Sequence, residues 1–180
     1  MRRLSIATAM LCAVAAPVLA QSPGPGVLPE KTAAAAFMSP DGEQIGNATL
    51  KQTPHGVLIS VEVAGIAPGQ HGFHIHETGR CDPQDGFKSA GGHYAPRGNR
   101  HGLLDPDGPH AGDMPNQFVG PSGTISVQVL NTNVTLESGT GTLFDEDGSA
   151  LVIHSGPDDY KSQPAGNAGD RIACGVIERP

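Results

Sequence analysis

The chain has 180 residues, enough for one domain with a sizeable core, and carries 18 acidic against 11 basic side chains, a formal net charge of -7. An acidic chain without a run of Lys or Arg excludes nucleic acid and anionic membrane as partners, since both select basic patches.

Residues 1–20 read as a secretory signal. Arg2 and Arg3 form a basic start, Leu4 to Val18 is a short apolar run, and Val18-Leu-Ala20 supplies small residues before the cleavage point. The run is too short, and too interrupted by Pro17, to span a membrane. A lipoprotein signal at Cys12 fits poorly, because Leu11 stands where a small residue is wanted. Cleavage after Ala20 takes the charge from -7 to -9, because Arg2 and Arg3 leave, and takes the cysteines from three to Cys81 and Cys174. An even count in an exported chain reads as a disulfide. The signal's form leans towards a bacterial periplasm, with secretion as the alternative.

Residues 21–30, rich in Pro and Gly, read as a flexible leader, which leaves residues 31–180 as the domain. Lys31 to Phe37 is alanine-rich, and local propensity leans towards helix. Every later signal is β. Pro40-Asp-Gly42 and His55-Gly56 are turns flanking a strand from Asn47 to Gln52, and Val57 to Val63 alternates with Val57, Ile59, Val61 and Val63 on one face. After the Ala67-Pro-Gly69 turn comes His71-Gly-Phe-His-Ile-His-Glu77, a strand that sends Phe73 and Ile75 to one face and His74 and His76 to the other. Glu77 to Gln117 has no periodicity, and a loop that long calls for a function or an external source of order. Strands resume at Thr124 to Val129 and Leu151 to His154, with a short piece at Val134 to Leu136. Ser155 to Asp170 is a polar loop, and Ile172 to Ile177 is a closing buried strand. Many short strands joined by turn chemistry indicate an antiparallel sandwich or barrel.

Seven of the eight histidines fall at or after residue 71. His93, His101 and His110 lie in the long loop and Asp113 follows, giving three imidazoles and one carboxylate, the donor set of a tetrahedral zinc site. His74, His76 and His154 are an imidazole set on strands and suit copper. One set on rigid strands and one on a loop suggests one metal that reacts and one that orders. His71 is one step out of the His74/His76 alternation and reads as a support for a ligand, while His55 reads as a solvated turn residue.

Gly72-Phe-His-Ile-His-Glu77, Gly92-His93, His110-Ala-Gly-Asp113 and Gly166-Asn-Ala-Gly-Asp-Arg-Ile-Ala-Cys-Gly175 together resemble the copper/zinc superoxide dismutases, over roughly Lys31 to Ile177. The resemblance implies an all-β fold, an eight-stranded antiparallel Greek-key barrel, a sandwich-type architecture for which this family is itself a standard example, with a long metal-binding loop. It implies copper on His74, His76, His93 and His154, and zinc on His93, His101, His110 and Asp113, with His93 bridging. It also implies a Cys81–Cys174 disulfide, Asp158 linking one ligand of each metal, and Arg171 attracting the substrate. The activity implied is dismutation of superoxide to dioxygen and hydrogen peroxide, with His93 exchanging a proton. Family dimers are common but form through different surfaces, so a homodimer is an open expectation.

Between His154 and Arg171 the chain departs from the familiar cytosolic eukaryotic forms. The loop is shorter, Ala165 stands where a threonine lines the copper channel, and Lys161 is the lysine left to attract an anion. An exported copper- and zinc-binding protein without turnover, serving sequestration or delivery, is the alternative reading. Such a relative is expected to lack a copper ligand or the arginine, and this chain keeps both.

Overall fold

The computed structural model describes residues 31–180; the expected signal and leader lie outside the described residues. The strands are β1 (Thr32–Met38), β2 (Gln44–Thr53), β3 (Gly56–Ala64), β4 (Gly69–His71), β5 (Phe73–His76), β6 (Gln117–Val119), β7 (Thr124–Asn131), β8 (Ala150–His154) and β9 (Arg171–Val176). Helical structure among the described residues amounts to two 3-10 turns, Pro83–Asp85 and Lys88–Ala90.

Seven strands form one antiparallel sheet in the order β5-β8-β9-β1-β2-β3-β7, and β4 pairs with β6. Only Gly72 separates β4 from β5, so these two are one bent strand shared between the sheets, and the count becomes eight. Because β6 runs into β7 through the turn at Gly120 and Gly123, the small sheet lies between the two edges of the large one. The curled sheet makes the antiparallel Greek-key barrel expected from the motifs.

Alternation builds the interior. Val57, Ile59, Val61 and Val63 of β3 are all buried, with Leu50 and Val129 opposite Ile59 and Ile125 opposite Val63. Phe73 and Ile75 join this core, each side chain of that size contributing about 1.5–3 kcal/mol when removed from water.

The helical leaning of Lys31 to Phe37 is corrected: the segment is β1. Ala33, Ala35 and Phe37 point inward at period two, and the segment forms a full ladder with β2 from Thr32↔Lys51 onward. Alanine's helical preference is worth only tenths of a kcal/mol per residue, so the ladder and the buried Phe37 outweigh it. The Val134 to Leu136 piece is reduced to one bridge, Thr135↔Thr142.

A second apolar cluster of Phe87, Ala90, Ala150, Val152 and Cys174 lies where the long loop packs on β8 and β9. The Cys81–Cys174 disulfide, with Cα atoms 5.6 Å apart, ties that loop to β9.

Candidate metal centre

β5 carries His74 and His76 against β8, in the register His74↔Val152 and His76↔Ala150. The loop then folds back over β5. Bridges pair His76 with His93 and His74 with Asp113, and the Ile75 N–H and C=O engage Gly112 and Tyr94. A Cβ on Gly112 would sit 2.2 Å from the Ile75 oxygen, so only glycine lets the loop approach this closely. His154, at the end of β8, donates its backbone N–H to the Gly72 oxygen at 2.9 Å.

Two donor groups result. His74, His76, His93 and His154 form one, and His93, His101, His110 and Asp113 the other; within each, the candidate ligand atoms lie within 4.8 Å of one another. His93 belongs to both. All these side chains are buried except His110, which is half-buried.

The free atoms point to where metals would sit. Asp113 Oδ2 accepts from the Gly102 and His110 backbone N–H groups at 2.9 and 3.0 Å. Its Oδ1 faces Nδ1 of His93, His101 and His110 at 2.8, 3.0 and 3.5 Å. His76 Nε2 and His154 Nε2 are 3.4 Å apart, with their Nδ1 atoms turned to the Gly91 and Gly169 oxygens. Buried side-chain polar atoms without a partner include His74 Nδ1, His93 Nε2 and His110 Nδ1, all three in these groups. An orphaned buried nitrogen costs about 1–3 kcal/mol, and coordination removes that cost. Four imidazoles suit copper, and three imidazoles with a carboxylate suit zinc, so the residues fit both metals.

Asp158, itself buried, joins the two groups. Its Oδ2 lies 2.9 Å from His74 Nε2 and its Oδ1 lies 3.1 Å from His101 Nε2. A Cβ on Gly166 would fall 1.8 Å from Asp158 Oδ1. Arg171, half-buried, donates to the Phe87 and Gly91 oxygens at 2.6 Å each, so the loop pinned by the disulfide aims the guanidinium. The Gly91 oxygen is shared with His76 Nδ1.

Charge follows burial. Desolvation pushes His93 down to about 4 and His154 to about 3, and also holds His76 well below its ordinary value, with Arg171 disfavouring protonation of both His76 and His154. Burial also acts to lower His101, but its bonds to Asp113 and Asp158 prevail and raise it to about 9. Burial opposes ionisation of Asp113 and Asp158, yet the histidines facing them hold both well below the usual carboxylate range.

The structure brings together the seven candidate ligands in the two donor groups, with Asp158 between them and Arg171 reaching the Gly91 oxygen beside His76. His71 is also placed: its Nδ1 and Nε2 lie 2.7 and 2.8 Å from the His154 and Ala67 oxygens, outside both donor groups. His55 is exposed. Sequence reasoning missed Gln163 and Asn116, whose amides bond to backbone at the site, and found no role for Tyr94 or Tyr160. Tyr94 donates from its hydroxyl to the Thr142 oxygen, and the Tyr160 hydroxyl accepts from the Asn116 N–H. No spacing pattern marks such contacts.

A small antiparallel barrel with two adjoining nitrogen-rich donor groups that share one imidazole defines a candidate dinuclear metalloprotein. Residues 44–177 match the family described as copper/zinc superoxide dismutase (SODC). The chain is 60% identical over 139 residues to "Superoxide dismutase [Cu-Zn] 1" of Aquifex aeolicus, covering 76% of this chain and 82% of that one. It is 43% identical over 150 residues to the "Superoxide dismutase [Cu-Zn]" of Caulobacter vibrioides, covering 82% and 86%. A crystal structure of a SOD-like protein from Bacillus subtilis superposes with a TM-score of 0.76 at 37% identity, covering 79% of this chain and 96% of that chain. The chain belongs to the copper/zinc superoxide dismutase family.

Proposed function

We propose that the chain dismutes superoxide to dioxygen and hydrogen peroxide, with His74, His76, His93 and His154 holding copper and His93, His101, His110 and Asp113 holding zinc. The observation that carries this reading is His93, whose Nδ1 faces Asp113 at 2.8 Å while its Nε2 stands buried and unpartnered among the other group's imidazoles. When bound, copper supplies one-electron chemistry, oxidising one superoxide and reducing a second with two protons, while redox-inert zinc supplies charge and cross-linking.

The residues do the rest. His93 Nε2 takes up and returns a proton while Nδ1 stays on the zinc side, a division of labour that imidazole's two nitrogens permit. Asp158 accepts from His74 and His101 at Nε2, leaving the Nδ1 atom of each free for metal. Arg171 attracts the anionic substrate towards a centre on an otherwise acidic protein. The burial of the imidazoles keeps bulk water off the site.

A disulfide and relatives of bacterial origin are consistent with an exported protein. Periplasmic location, cleavage after Ala20 and a leader ending at Glu30 are part of the same proposal, supported by the n-region, apolar run and Val18-Leu-Ala20. Mass spectrometry of chain exported from a bacterial host tests the cleavage: a mature chain beginning at Gln21 supports it, and a retained Met1 contradicts it. Metal analysis of the loaded chain tests the site, with one copper and one zinc per chain expected and loss of zinc binding in His93→Ala.

A further inference from the structure

The two loops that complete the metal centre each hold the other by a side-chain amide. Gln163, on the loop after β8, accepts from the His101 N–H through Oε1 at 3.0 Å and donates from Nε2 to the His101 oxygen at 2.8 Å. Its second amide hydrogen has the Lys161 oxygen at 3.1 Å. Asn116, on the loop before β6, reciprocates. It accepts from the Asp158 N–H at 2.8 Å and donates from Nδ2 to the Asp158 oxygen at 2.8 Å. Its own N–H is held by the Tyr160 hydroxyl at 2.7 Å. Between these two pairings lies the His101–Asp158 side-chain bond at 3.1 Å.

A carboxamide that both donates to and accepts from one residue's backbone does the work of a neighbouring strand. His74, His76 and His154 have real strand neighbours, whereas His101 and Asp158 lie in loops. We infer that Gln163 and Asn116 form a reciprocal clasp that positions His101 and Asp158 and so sets how firmly zinc, rather than copper, is held. This rests on the ligand assignment proposed above. The physical reason is preorganisation: a ligand already fixed loses less freedom when the metal binds and holds it longer. Gln163 is exposed overall, so water competes for its bonds and the effect is modest.

The test uses the full chain loaded with copper and zinc. Release of zinc to a chromogenic chelator is timed for wild type, Gln163→Ala, Asn116→Ala and the double variant, with copper release followed alongside. Cobalt(II) in the zinc position reports ligand geometry by its visible spectrum. The clasp predicts zinc release faster by about fivefold in each single variant, a net loss of roughly one hydrogen-bond pair, with copper release unchanged within about twofold. The cobalt spectrum changes in the same variants. Independently of whether the variants fold, the His101 and Asp158 amides of loaded wild type must be strongly protected from hydrogen exchange, since each has a side-chain amide as its acceptor. Exchange at the rate of exposed loop amides overturns the clasp. So does zinc release within twofold of wild type in all variants. Wild type that retains no zinc overturns the ligand assignment with it, which separates the two failures.

Discussion

Replacing Cys81 by alanine removes the disulfide with little collateral damage. Cys81 is partly exposed, whereas Cys174 is fully buried among Phe87, Ala90, Ala150 and Val152, so Cys81→Ala leaves the apolar cluster filled. The bridge spans 93 positions of chain. Closing a loop of that length in the unfolded ensemble stabilises the fold by about 4–5 kcal/mol on the chain-entropy treatment. The bridge also pins the segment whose Phe87 and Gly91 oxygens hold Arg171. Phe87 is itself fully buried, worth about 1.5–3 kcal/mol, and keeps the segment docked without the bridge. Urea unfolding of Cys81→Ala, followed by far-ultraviolet circular dichroism, is therefore expected to show about 4 kcal/mol less stability than wild type, matching reduced wild type. Turnover falls less than in Arg171→Ala. A stability loss under about 1 kcal/mol would refute the loop-closure reasoning, and turnover as low as that of Arg171→Ala would refute the role given to Phe87.

Arg171→Ala is expected to lower kcat/KM by about tenfold at low salt and to weaken its dependence on ionic strength, within the range known for electrostatically steered enzymes, this family included; an unchanged salt profile contradicts the steering role. Asp158→Ala leaves His74 Nε2 and His101 Nε2 without their acceptor, so zinc affinity falls by about 10–100-fold and copper affinity by less, because His74 sits in a strand ladder; competition against a calibrated chelator measures both. In the metal-free chain, unfolded histidines take up protons near 6.5 while His93 waits until about 4 and His154 until about 3, so stability falls as pH drops through that window. His101 acts in the opposite sense: raised to about 9, it contributes fully below 6.5, and its contribution is lost as pH rises through 9. Thermal unfolding of metal-free chain at about pH 4.5, 6.5 and 9.5 is expected to give the highest Tm at the middle value, and a flat profile contradicts it.

Much of this was legible in the sequence because three of the four residues proposed to hold copper, His74, His76 and His154, ride on strands. Period-two alternation alone places Phe73 and Ile75 inward and His74 and His76 together. What alternation does not give is their depth: both are fully buried because the 77–116 loop closes over β5. That loop has no period to read, and its order comes from single bridges at His93 and Asp113, the disulfide and close glycine contacts. The Lys31 to Phe37 error has a different origin. Alanine is small enough to face a core in either secondary structure, so the outcome is decided by the ladder offered by β2, which lies outside the local window. Gln163 and Asn116 are unreadable for a related reason: each acts on backbone 42 to 62 positions away, and nothing about a lone amide specifies its target.

The most direct measurement is superoxide consumption by the purified mature chain, with copper and zinc counted in the same sample. The structure predicts one copper and one zinc per chain and fast turnover that disappears when copper is removed and returns when it is restored. Both metals bound in that ratio with no turnover would contradict the assignment of His93 and Arg171 to catalysis.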